Sequence, residues 1–180
     1  TSEPSGHTRT VTDTENKLSI ANGALTFAGG KASPATGDPR ITFPAITRVA
    51  GLGMMGETTS GSAITIGPHV GFDTDASGSP VEGFFRFNST GATGNGDLQA
   101  LLTAGAPLSV GTITGSTSYQ YAGFLRGAGF YLFAKGGTQY PSWTLVWVRD
   151  TENTATLYPL ITTYNTAFTS PYMRMPSTLW

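Results

Sequence analysis

Residues 18–27, read as Leu-Ser-Ile-Ala-Asn-Gly-Ala-Leu-Thr-Phe, constrain the fold more than any other segment. Leu18 and Ile20 alternate with small or polar residues, Asn22-Gly23 offers two positions that tolerate positive φ, and Leu25 and Phe27 resume the alternation. A two-residue turn of that kind matches the right-handed twist of paired strands, so the segment predicts an antiparallel hairpin. Such a hairpin buries one face and needs a second layer to cover it.

The same period of two recurs along the chain. It predicts strands over 40–49, where Pro44 suits an edge or a bulge, over 63–72 through Ile64, Ile66, Val70 and Phe72, and over 83–88 through Phe85 and Phe87. Further strands are expected over 108–113, 119–126, 130–135, 143–149 and 156–161, each bounded by Gly, Pro, Asn or Asp. A spacing of roughly a dozen residues per strand and turn suits an all-β, two-sheet antiparallel sandwich of the jelly-roll type. One short helix is allowed for, over 97–104, with Asp97 as cap, Leu98, Leu101 and Leu102 at helical spacing and Gly105 as stop.

Composition agrees with this reading and excludes several partners. The 24 Gly, with few Lys and Glu, favour strands and turns over helices. Charged residues are 12% of the chain and the net charge is −1, which leaves no electrostatic footprint for nucleic acid. No apolar run is long enough to span a membrane as a helix. There is no cysteine to report a redox compartment. Residues 1–16 are polar and read as a flexible tail or linker, and 17–180 as one sandwich domain. The segment from Trp143 to Arg149, apolar on both faces by alternation, reads as a central strand with Trp147 in the core.

Several motifs resemble chemistry and fall short of it. Gly51, Gly53 and Gly56 have the spacing of a dinucleotide-binding turn, but no helix follows them, so a glycine-rich strand is the better account. Asp73, Asp75 and Ser77 offer oxygen ligands at alternate positions, with Glu82 nearby, which makes a candidate Ca2+ loop. A glycosidase needs two carboxylates facing one cleft, and the 11 acidic residues lie mostly in expected turns. Two histidines could serve a triad: His7 in the tail and His69 beside Pro68 in a strand kink. No nucleophile elbow accompanies either, so both read as structural or solvated and no catalysis is expected.

Aromatic residues are what remain for recognition. A sugar ring stacks its C–H face on Trp or Tyr while polar neighbours bond its hydroxyls. Tyr140 and Trp143 lie in a loop leading into a strand, and consecutive pairing would bring Tyr119, Gln120, Tyr121, Arg126 and Tyr131 beside them. These residues form the expected glycan site. The C-terminal Trp180 is read as docked, either closing the sandwich or, with the N-terminal arm, joining a homo-oligomer.

The stretch from Asn16 to Leu25, the strand from Phe130 to Gly137 and the strand from Trp143 to Trp147 resemble concanavalin-like and laminin-G-like sandwiches. Sugar binding is what that resemblance implies. The resulting expectation is a noncatalytic, lectin-like carbohydrate-binding module of an extracellular, cell-surface or virion protein that takes a polysaccharide or glycan. A structural or assembly protein, such as a phage tail or capsid decoration module or a surface-filament subunit, stands beside it.

Overall fold

A computed structural model describes residues 9–28, 39–47, 52–60, 66–73, 82–89, 95–101, 108–126, 129–150, 156–163 and 167–174. Among these residues the structure is all strand and turn. The strands are β1 (Thr10–Thr12), β2 (Leu18–Ala21), β3 (Ala24–Phe27), β4 (Arg40–Thr42), β5 (Ile46–Thr47), β6 (Leu52–Ser60), β7 (Ile66–Asp73) and β8 (Glu82–Ser89). They continue as β9 (Asn95–Leu101), β10 (Leu108–Thr114), β11 (Ser118–Arg126), β12 (Gly129–Gly136), β13 (Tyr140–Asp150), β14 (Thr156–Thr162), β15 (Phe168–Ser170) and β16 (Met173–Arg174). Two antiparallel sheets result. Sheet A runs β1-β4-β14-β7-β8-β9-β10 with β5 on β14, and sheet B runs β13-β12-β11-β6-β15-β3-β2 with β16 on β6.

The hairpin forms as its sequence requires. Asn22 and Gly23 take φ of 52° and 76°, and β2 pairs with β3 from Leu18–Phe27 to Ala21–Ala24. Asp13 fixes its entry, because the carboxylate accepts the backbone N–H groups of Lys17 at 2.6 Å and Leu18 at 2.9 Å.

Between the sheets lies one core. Ile41, Val70, Phe72, Leu98, Ile113, Leu157 and Ile161 of sheet A meet Phe27, Tyr119, Tyr121, Phe130, Leu132 and Phe168 of sheet B. Phe27 stacks on Phe168 with centroids 4.3 Å apart, and Phe72 meets Phe130 edge-on across the layers. Full burial of such side chains contributes about 1.5–3 kcal/mol each. Tyr121 fits because its partner on β6 is Gly56, where a Cβ would press into the phenol ring.

Four sequence expectations are corrected or sharpened here. Residues 95–101 form a strand, not a helix: Leu98 and Ala100 are buried at period two, and β9 hydrogen-bonds to β8 and β10. Ladder bonds on both sides outweigh a weak helical propensity. Within the segment expected as a tail, β1 pairs with β4. The glycine motif lies in β6, so its Gly53 and Gly56 are strand residues. Finally, β13 is the edge of sheet B and not a central strand. Leu132 and Phe133 on β12 pair with Trp147 and Leu145, so Val146 is an extra residue and the bulge switches faces. Trp147 points inward against Phe130, with centroids 5.6 Å apart, while Leu145 and Trp143 emerge outside.

Candidate functional site

Register places one continuous polar row across sheet A. Thr12 on β1 pairs with Arg40 on β4, Arg40 with Thr162 on β14, Thr162 with His69 on β7, His69 with Arg86 on β8, Arg86 with Gln99 on β9, and Gln99 with Ser109 on β10. The adjacent row is Val11, Ile41, Ile161, Val70, Phe85, Ala100 and Leu108. Because Ile41, Ile161 and Val70 belong to the core, alternation puts the polar row on the face turned away from it.

This outer face is recessed rather than open. His69 is 9% exposed, Gln99 8% and Thr162 3%. The Thr162 hydroxyl donates to the Pro39 carbonyl at 2.9 Å, which ties β14 to the start of β4. The buried Oε1 of Gln99 has no hydrogen-bond partner among the described residues. A buried acceptor left without a donor costs about 1–3 kcal/mol, a cost relieved when a ligand hydroxyl or amide reaches it.

At about 4.8 Å between strands, Arg40 stands some 10 Å from His69 across the sheet, and the Arg86 position is one strand away. A basic, hydrogen-bonding strip of this kind is complementary to an extended anionic chain. Among the described side chains of this face, Asp97 is the one carboxylate.

The residues expected to bind sugar do not come together. Tyr119 and Tyr121 are core residues. The Tyr119 hydroxyl accepts the Thr114 N–H at 2.8 Å and donates to Gln139 Oε1 at 2.9 Å, while Gln139 Nε2 donates to Thr114 Oγ1 at 2.8 Å. That closed network locks two turns together. Tyr140 is also buried, edge-on to Tyr119 and with its hydroxyl over Gly111. Burial raises the phenol pKa of both Tyr121 and Tyr140 above the usual tyrosine value.

Trp143 and Gln120 lie instead on the outer face of sheet B, and Arg126 ends β11. β11, β12 and β13 pair consecutively as expected, and Tyr119 and Tyr121, which alternate with Gln120, point inward. Of the candidate Ca2+ ligands, Asp75 and Ser77 lie outside the described residues, and Asp73 and Glu82 end β7 and begin β8. Residues 175–180, with Trp180, also lie outside them.

No family model matches the chain, and no curated protein matches it. Solved structures do share its fold. Alginate lyase A1-II′, a member of polysaccharide lyase family 7, is 13% identical with a TM-score of 0.61, over 92% of this chain and 86% of that one. An alginate lyase variant in complex with an alginate trisaccharide is 11% identical with a TM-score of 0.57, over 93% and 86%. A xylan β-1,4-xylosidase from Bacillus halodurans, at 10% identity and a TM-score of 0.57, matches 86% of this chain over 33% of its own length. At these identities the likeness establishes an all-β jelly roll, as the opening hairpin suggested.

These likenesses correct the functional expectation. The missing hydrolase motifs lead to the expectation of a noncatalytic lectin-like module, with an assembly protein beside it and a degenerate glycoside hydrolase not excluded. A fold shared with polysaccharide lyases makes those motifs the wrong test, because elimination needs neither a nucleophile elbow nor paired carboxylates.

Proposed function

We propose that this chain is a carbohydrate-active enzyme that works on the polar outer face of sheet A and cleaves a carboxylated polysaccharide by β-elimination. The observation that carries the reading is the polar row, unbroken across seven strands and centred on His69. The structural neighbours that bind or cleave alginate support the same class of substrate.

Elimination beside a uronate carboxylate begins with removal of the ring proton next to that group. Negative charge then spreads onto the carboxyl oxygens, and the glycosidic oxygen leaves. His69 is the proton-transfer group in this arrangement. Arg40 stabilises the developing carboxyl charge. Gln99 Oε1 accepts a sugar hydroxyl and Thr162 holds the Arg40 strand beside His69.

Incubation with alginate, pectate and a neutral glucan separates this reading from hydrolysis. The expected product of an acidic polymer is an unsaturated uronate, which absorbs in the ultraviolet and is lighter by one water than the hydrolytic product. Reducing ends appearing without that absorbance, or only from the neutral glucan, would refute β-elimination.

A further inference from the structure

The outer face of sheet B carries a second cross-strand row that the proposed catalysis does not use. Glu57 on β6 pairs with Gln120 on β11, and Gln120 with Lys135 on β12. Ala134 pairs with Thr144, so by alternation the next positions outward are Lys135 and Trp143. The strip therefore ends on an indole that is 43% exposed.

Glu57 accepts hydrogen bonds from Ser118 Oγ and, at 3.2 Å, from Gln120 Nε2. That clamp holds the Gln120 side-chain amide in place beside Glu57. Lys135 is half-buried and has no ion-pair partner among the described residues. Apolar surface continues beyond the row through Tyr131, Leu145 and Val148, all exposed. An exposed Trp beside a fixed amide and a cation is the set of groups that holds a carboxylated sugar: the ring face on the indole, a hydroxyl on Gln120, the carboxylate on Lys135.

We infer that the Glu57–Gln120–Lys135–Trp143 row is a second binding surface for an acidic polysaccharide chain, on the opposite side of the sandwich from the face proposed for catalysis. It rests on that reading for the class of polymer and uses none of its residues. Its role is retention: a polymer held at sheet B raises the effective concentration of its other segments at sheet A. The charge of Lys135 favours an anionic polymer over a second copy of this chain.

The test is affinity electrophoresis in native gels cast with sodium alginate or with dextran, paired with turnover of alginate polymer and of a short alginate oligosaccharide. Wild-type protein should be retarded by alginate and not by dextran. Trp143→Ala and Lys135→Gln should each weaken retention roughly three- to tenfold. Turnover of the oligosaccharide should be unchanged in both, and turnover of dilute polymer should fall. His69→Asn should keep the retention while losing turnover. Unchanged melting of each variant shows that the fold is intact.

Retention unaffected by both sheet B variants in an active enzyme would overturn the inference and leave the sheet A reading standing. Retention lost on Trp143→Ala in a protein that turns over no polymer would support it and sink the sheet A reading. A concentration-dependent dimer that Trp143→Ala abolishes, with no retention by alginate, would overturn it in favour of a second copy.

Discussion

Substitution of Gly111 by alanine tests whether Tyr140 belongs to the core or to a sugar-binding surface. A Cβ at Gly111 would collide with the Tyr140 hydroxyl and lie 3.2 Å from its ring carbon Cζ, while Leu98 Cβ at 3.9 Å is an ordinary contact. The clash must be relieved by moving the tyrosine. That movement breaks the hydrogen bond its oxygen accepts from the Thr112 backbone N–H, about 1 kcal/mol, and adds an overpacking cost of about 1–3 kcal/mol. Gly111→Ala should therefore cost about 2–4 kcal/mol, which for a chain of this size lowers Tm by roughly 5–15 °C. Tyr140→Phe alone should cost about 1 kcal/mol. In the double variant the hydroxyl is gone and the ring needs to shift by only a few tenths of an ångström. The pair should then fall short of additivity by about 1–2 kcal/mol. Urea unfolding of the four proteins measures the cycle. Strict additivity, or a neutral Gly111→Ala, would mean that Tyr140 is not seated over β10 and would reopen it as a surface residue.

Alkaline pH gives an independent check on the buried tyrosines. Loss of solvation raises the pKa of Tyr121 and of Tyr140, so the folded state favours their protonated forms. Their contribution to stability is complete below the ordinary tyrosine pKa of about 10 and is lost as pH rises past it. Tm should fall steeply above that pH, with late tyrosinate absorbance appearing only as the protein unfolds. Smooth titration of every tyrosine in a protein that stays folded would contradict this packing. Asp13→Ala removes a charged acceptor from two backbone N–H groups at the hairpin entry. It should cost about 1–3 kcal/mol, read as a lower urea midpoint; a midpoint equal to wild type would show the turn forms without it.

The extent to which the sequence revealed this protein follows from the physics of each element. The Asn22-Gly23 hairpin was legible because its turn chemistry is local, and most strands because period two survives in a single chain. Residues 95–101 misled because one turn of apparent helical spacing, Leu98 to Leu102, competes with pairing to strands distant in sequence. The face switch in β13 was hidden for a similar reason: a bulge at Val146 is visible only against its partner β12. His69 reads as structural or solvated from the sequence, because a lone histidine beside a proline carries no catalytic pattern. Arg40, Thr162 and Gln99 gave no signal at all, since each is one polar residue in an ordinary alternating strand. Only register, with Thr162 opposite both Arg40 and His69, makes them a row. Of the glycan candidates, Tyr119, Tyr121 and Tyr140 fill the core, which alternation alone does not reveal without the partner sheet.

Catalysis at His69 is measured by the rate at which wild type, His69→Asn and Arg40→Ala release unsaturated uronate from an acidic polysaccharide, each with its melting curve. Wild type should turn over the polymer, and His69→Asn should lose about 10²–10⁴-fold of that rate without collapse of the fold. Arg40→Ala should weaken both rate and substrate affinity. Full activity in His69→Asn, or no unsaturated product from wild type on any acidic polysaccharide, would contradict β-elimination at His69.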